Sequence, residues 1–325
     1  MNCFYYSRYR FYNEKSKSEL KFFLISDIHF SRKVSSKKLQ AITDQAHKQH
    51  PNYILIAGDL IDELGAIINN SDLRRLTSWL EQLGQVAPVL IALGNHDFYR
   101  KNPDHNNIFS KKRHWYAEKN QHYLDVLNEI PNVQVLDNQV YEDKNVYIFG
   151  FTQSPEYYQF DRDEKRSTTL LHPGGEDRDI MLSDLDKLDP KLITKLPAHK
   201  VKIAIIHSPV YLSDSEVSSH LCEFDFFVSG HMHNGVVPPL INDFWRSDRG
   251  IIAPGKKLFP HGSRAKIRSI NDKLILLGAV STIQASAKPI TFINGVYPTF
   301  IATLELSNRS TLARKPDVTH QYIGY

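Results

Sequence analysis

Val89-Leu90-Ile91-Ala92-Leu93-Gly94-Asn95-His96-Asp97 is the stretch from which the 325-residue chain is best read. Five apolar residues in a row suit a strand buried on both faces, and the glycine that follows marks its end. In open α/β sheets, active sites gather at the carboxyl ends of the strands. Asn95, His96 and Asp97 put an amide oxygen, an imidazole and a carboxylate at that end. A Gly-Asn pair is also an ordinary turn, so the reading depends on partners elsewhere in the chain.

Two partners lie upstream. Leu20–Ser26 is an apolar run that ends at Asp27-Ile28-His29. Ser35 or Ser36 can cap a helix that continues to about His50, with Leu39, Ile42 and Ala46 on one face and Pro51 as its stop. Tyr53–Ala57 is the next buried strand and ends at Gly58-Asp59. Ser71 or Asp72 caps a second helix whose stripe is Leu73, Leu76, Leu80 and Leu83, closed by Gly84. Strand, helix, strand, helix, strand with short loops predicts a largely parallel central sheet.

Downstream, the pattern predicts a helix from about Lys111 to Ile130, with Trp115, Tyr123, Val126, Leu127 and Ile130 inward. Strands follow near Val133–Leu136 and Val146–Phe151. Residues 152–190 are polar, carry the turn-like His172-Pro173-Gly174-Gly175 and show no clear period; they read as an insertion over the site or a surface excursion. Lys202–Ile206 then ends at His207, and Phe224–Val228 runs to Gly230-His231-Met232-His233. Further strands are expected near Lys273–Leu277, Ile290–Ile293 and Phe300–Leu306, and the polar tail from about residue 307 is expected to be loosely held. With no repeat and no Gly/Ser-rich linker, residues 1–325 read as one domain. Near the N-terminus, Tyr5, Tyr9 and Phe11 alternate with Tyr6, Arg8, Arg10 and Tyr12, as in a strand with one buried face; an aromatic membrane-interface segment is the alternative.

Composition narrows the class. Apolar residues make up 41% of the chain, enough for a sizeable core. A formal charge of +4 and a pI of about 8.8 suit anionic substrates but fall short of a dedicated nucleic-acid binder. Cys3 and Cys222 have no C-x-x-C neighbour, which argues against a thiolate zinc site and fits a reducing compartment. No apolar run reaches the roughly 20 residues of a membrane span, and Met1–Tyr12 lacks an apolar signal-peptide region. The expected location is cytoplasmic, with peripheral membrane contact as an option.

Five strand ends thus carry Asp27-x-His29, Asp59, Asn95-His96, His207 and His231-x-His233. Singly, each is more ordinary as a cap or a surface histidine. Together, in this order, they resemble the calcineurin-like metallophosphoesterase superfamily, over roughly Lys21 to Leu306. The resemblance implies an α/β fold: a four-layer α-β-β-α sandwich of two mixed sheets flanked by helices. It implies two divalent metal ions, Mn, Fe, Zn or similar, about 3.5–4 Å apart. By similarity Asp59 bridges them, Asp27, His29 and His233 complete one, and Asn95, His207 and His231 complete the other. Gly230 and Gly235 would supply the turn that brings both histidines of the last motif to the metals. Two ions, two Asp and a bridging hydroxide leave about one positive charge for an anionic phosphoester. The implied reaction is attack by that hydroxide on phosphorus, with His96 as acid and Asp97 orienting it.

Departures narrow the branch. The superfamily's protein Ser/Thr phosphatases carry Glu where this chain has Asp97, and their phosphate-gripping arginine motif has no match here. The resemblance therefore points to the broad bacterial-type phosphoesterases. The expected substrate is a phosphodiester or pyrophosphate of a small molecule or lipid head group, with nucleic acid disfavoured. A basic segment near 244–268, interleaved with Phe244, Trp245 and Phe259, offers Arg246, Lys256 and Lys257, with His261, for an anionic head group or membrane surface; a solvated loop is the plainer reading. The alternatives are a non-catalytic scaffold of the same fold, as in a retromer subunit, and a nuclease like those of double-strand-break repair. The complete ligand set weighs against the first, and the modest net charge against the second.

Overall fold

A computed structural model describes residues 3–32, 34–64, 70–101, 115–117, 119–162, 176–237, 250–253, 257–258, 267–270, 273–277, 299–309 and 316–324. Two sheets dominate them. The first contains seven strands: β1 (Cys3–Tyr12), β2 (Leu20–Ile25), β3 (Tyr53–Ala57), β4 (Val89–Ala92), β7 (Val133–Val135), β16 (Thr299–Ser307) and β17 (Asp317–Gly324), in the order β17-β1-β16-β2-β3-β4-β7. β2, β3, β4 and β7 are parallel, and β16 runs antiparallel to β2. The second contains six: β8 (Gln139–Glu142), β9 (Val146–Phe151), β10 (Val201–Ile206), β11 (Phe226–Ser229), β14 (Ile267–Ile270) and β15 (Lys273–Leu277), in the order β14-β15-β11-β10-β9-β8. Two short pairs, β5 (Tyr99–Lys101) with β6 (Trp115–Ala117) and β12 (Ile252–Ala253) with β13 (Lys257–Leu258), stand apart from both sheets.

Three apolar clusters set the layers. Leu24, Leu55 and Leu90 of the first sheet meet Ile148, Ile203 and Val228 of the second, so the sheets pack face to face. The far face of the first sheet is covered by α1 (Ser36–Gln49), α2 (Asn70–Val86) and α3 (Gln121–Asn128) through Ile42, Leu80, Leu83 and Leu127. The far face of the second is covered by α4 (Pro155–Arg162), α5 (Glu176–Asp186) and α6 (Ser215–His220) through Tyr158, Met181, Leu185 and Val217. This is the expected α-β-β-α sandwich. The β2-α1-β3-α2-β4 repeat also follows the expected pattern: Ser35 caps α1 by accepting from Lys38 N at 3.2 Å, and Leu39, Ile42 and Ala46 face inward.

Several expectations change. Gly84 does not close α2; the helix continues to Val86. A Cβ at Gly84 would meet the Pro131 carbonyl at 2.6 Å, so this glycine permits close approach of a neighbouring loop. The helix expected from Lys111 is only Gln121–Asn128, capped by Asn120, whose side chain accepts from Tyr123 N at 3.0 Å. Trp115 lies in β6 instead, because the chain after β4 pairs with it as a hairpin. Within 152–190, the described residues include α4 and α5, which belong to the outer layer of the second sheet. The tail is not loose throughout: β17 pairs antiparallel with β1 along Cys3–Arg10. In β1 the Tyr5, Tyr9 and Phe11 face is buried as expected, and on the other face Tyr6 is buried too, only 3% exposed and bonded to Thr303 Oγ1 at 2.7 Å. His172, Arg246, Lys256, His261 and the strand expected at Ile290–Ile293 lie outside the described residues; Lys257 begins β13.

Candidate metal centre

The carboxyl ends of five parallel strands, three from one sheet and two from the other, meet at one end of the sandwich. Asp27 and His29 follow β2, Asp59 follows β3, Asn95 follows β4, His207 follows β10, and His231 and His233 follow β11. All but His233 are buried. Asp27, His29 and His233 form one group of ligand atoms within 4.8 Å of one another, and Asp59, His207 and His231 form a second. Asp59 reaches both: its Oδ2 is 3.3 Å from His207 Nε2 and 3.7 Å from His29 Nε2. Asn95 Oδ1 sits between His207 Nε2 (3.2 Å) and His231 Nδ1 (3.0 Å). All seven residues expected as metal ligands are therefore brought together.

The backbone is bent to achieve this. Asp27, His29, Asp59, His231 and His233 all have positive φ, between 46° and 69°. That region costs a non-glycine residue about 1–3 kcal/mol and persists only where surrounding contacts enforce it. Here the contacts are Asp27 N to Gly58 O (3.0 Å), His29 N to Asp59 O (3.0 Å), and His231 N to both Asp27 carboxylate oxygens (3.0 and 3.1 Å). This also corrects the account of the last motif. The left-handed turns fall on His231 and His233 themselves, with Gly235 (φ 64°) only following them. Gly94 is needed for close approach, since a Cβ there would collide with the Asp59 backbone and carboxylate.

Hydrogen bonds orient the rings. Ala57 O can only accept, so the 2.7 Å contact to His207 Nδ1 makes that nitrogen the donor and turns Nε2 toward Asp59 and Asn95. His96 Nδ1 likewise lies 2.7 Å from the carbonyl of Asp62, while its backbone N donates to Asp59 Oδ1 at 2.7 Å. The carboxylate of Asp62 is 3.8 Å from His96 Nδ1 and 3.9 Å from His29 Nδ1. Asp62, rather than Asp97, therefore places its carboxylate beside His96 Nδ1. The Asp97 carboxylate points into the turn, accepting from Gly94 N at 2.8 Å and Ile61 N at 3.3 Å. Sequence reading passed over Asp62; the signal was its place three residues after Asp59 on the same strand-end loop.

Burial and mutual charge shift these groups in opposite directions. Burial pushes the Asp27 carboxyl up to about 7 against the pull of His207. Burial also acts on Asp59, but His207 and His96 outweigh it and hold the carboxyl well below the usual range. The His207 imidazole is raised to about 9, because Asp59 overcomes the effect of burial. Burial, with His96 beside it, drives His29 well below the usual imidazole range, and burial lowers His233 to about 3. His29 Nδ1 is buried with no hydrogen-bond partner. A buried cluster of imidazole, carboxylate and amide ligand groups, one of them without a hydrogen-bond partner, fits a metal ion.

The family model described as calcineurin-like phosphoesterase matches residues 20–235. The chain belongs to that family. An uncharacterized metallophosphoesterase of Campylobacter jejuni is 26% identical over 225 residues, covering 69% of this chain and 47% of that protein. A Danio rerio transmembrane protein with a metallophosphoesterase domain is 39% identical over 88 residues, covering 26% of this chain and 18% of that one. The chain thus aligns with less than half the length of either relative. Among solved structures, a dimetal phosphatase from Danio rerio matches with a TM-score of 0.40 at 12% identity, over 80% of this chain and 87% of that one. A Thermus thermophilus protein matches with a TM-score of 0.39 at 10% identity, over 80% and 89%. Among the described residues, no helix is long and apolar enough to cross a membrane.

Proposed function

We propose that this chain hydrolyses a phosphodiester or pyrophosphate bond of a small molecule or lipid head group, using two divalent ions. The observation that carries the reading is Asp59, whose carboxylate faces His29 of one ligand group and His207 of the other. Asp27, His29 and His233 would hold one ion, and Asn95, His207 and His231 the other. When bound, such a pair supplies a hydrolytic nucleophile at neutral pH and offsets charge on the phosphoryl group. The chain's own part is to fix the donors and to manage the proton. The Asp62 carbonyl occupies His96 Nδ1, so Nε2 is the ring nitrogen that protonates the leaving oxygen. Asp97 holds the turn that aims His96. Supporting a diester over a protein substrate is Asp97 itself, where the protein phosphatases carry Glu.

Metal analysis, combined with turnover of bis-p-nitrophenyl phosphate and p-nitrophenyl phosphate, tests the reading. Two equivalents of metal and a preference for the diester are expected; a protein that purifies with metal yet cleaves only the monoester would overturn the diester assignment. Asp59→Asn should lose metal and turnover together. A peripheral membrane location, and substrate binding by Arg246, Lys256, Lys257 and His261, are supported only by the basic-aromatic composition of 244–268. Equal pelleting with anionic liposomes by wild type and an Arg246/Lys256/Lys257→Ser variant would sink the membrane part.

A further inference from the structure

β9 ends beside the site yet contributes none of the seven donors. Its end supplies Gln153, fully buried, and the helix that follows supplies Tyr158 at 1% exposure. Gln153 uses both ends of its amide. Its Oε1 accepts from Ser208 N (2.9 Å) and from the Tyr158 hydroxyl (2.7 Å). Its Nε2 donates to Ser208 O (3.2 Å) and faces Met181 Sδ (3.7 Å). Ser208 is the residue after His207, so Gln153 grips both polar groups of the residue next to this ligand. The Tyr157 hydroxyl adds a 3.1 Å contact to Ser208 Oγ.

Tyr158 closes the arrangement on the other side. Its ring meets His207 edge-on, with centroids 6.1 Å apart and planes at 60°, and lies 6.0 Å from His231 at 53°. The two histidine rings are themselves 5.1 Å apart at 70°. Aromatic pairs at these separations favour tilted and edge-on geometry, so each ring restricts the rotation of the other two. Tyr158 does not pair with His29 or His233 in this way; those two stack on each other at 5.2 Å, with His96 edge-on to His29 at 4.4 Å. The two halves of the centre are thus braced differently.

We propose that Gln153 and Tyr158 are positioning residues that fix the rings of His207 and His231, and so set how tightly one of the two metal ions is held without affecting the other. This rests on the two-metal reading above. Partners behind metal-bound histidines typically contribute about 10–100-fold in metal affinity. The test is titration of the metal-free full-length protein with Mn(II) alone, followed by calorimetry and by electron paramagnetic resonance of the coupled pair. Wild type should take up two ions. Tyr158→Leu should bind one of them about 10–100-fold more weakly, with the other unchanged and the coupled signal lost at limiting Mn(II). Tyr158→Phe keeps the ring but loses its tether to Gln153, and should weaken the same ion less; it decides the matter if the Leu variant does not fold. A merely structural role would lower the melting temperature and weaken both ions alike, and that result overturns the proposal, as do wild-type constants for both ions in a folded variant. Wild type binding no Mn(II) would instead overturn the proposed function, and this inference with it.

Discussion

Asp97 and His96 are neighbours with separate tasks. Burial and the nearby Asp59 charge raise the Asp97 carboxyl to about 7, and its two oxygens serve the Gly94 and Ile61 amides. Asp97→Ala would leave two buried N–H groups without their acceptor, at about 1–3 kcal/mol each. A melting temperature several degrees lower is expected, with Asn at the same position recovering much of it. Unchanged melting of the Ala variant would refute the structural role. His96 is a quarter exposed, and its own cluster, with His29 and Asp62, is separate from the groups that contain Asp27 and Asp59. His96→Ala should therefore lose at least about 100-fold in turnover while keeping its full metal content. A His96→Ala protein stripped of metal would contradict the division of roles.

At the scale of elements, the outer helices of the second sheet are pinned by charge as well as by apolar contact. Asp214 caps α6, accepting from Glu216 N at 3.0 Å and Val217 N at 3.3 Å. Arg178 of α5 holds the same carboxylate from 2.9 Å and reaches Glu216 at 2.6 Å. The Arg178 guanidinium, helped by the cap amides, keeps the Asp214 carboxyl below its ordinary 3.8. A group depressed on folding adds stability that is complete above its unfolded pKa and fades as pH falls toward its folded one. Arg178→Gln should therefore melt below wild type at neutral pH, with the gap narrowing below about pH 4. A gap that stays constant down to about pH 3 would rule out this linkage.

For the whole molecule, the proposed centre joins two sheets. Asp27, Asp59 and Asn95 extend from the first, and His207 and His231 from the second. Ions that bind only the folded state stabilise it by mass action, about 2.7 kcal/mol at a hundredfold excess over Kd. Chelation should lower the melting temperature, and Mn(II) should restore it. In Asp59→Asn, chelator and Mn(II) should leave the melting temperature unmoved; a chelator-sensitive variant would count against the bridging role.

Much of this protein is legible in its sequence. Buried strands of four to six residues read as mainly apolar runs, so the ends of β2, β3, β4, β10 and β11 can be found by eye, and the seven donors sit at those ends. The same runs predict a largely parallel central sheet, whereas the layer order comes from the family resemblance. What sequence does not carry is pairing over long distance. β17 is polar and exposed for most of its length, and only its register against β1, some 300 residues earlier, makes it a strand. The hairpin of Trp115 with Lys101 overrides a helical-looking period for the same reason. Asp62, Gln153 and Tyr158 lie on or beside the right loops, but their roles depend on which carbonyl or ring the fold sets opposite them. The donors follow from local pattern, because a strand end is a local event; their support comes from contacts between segments far apart in the chain, which only the tertiary structure decides.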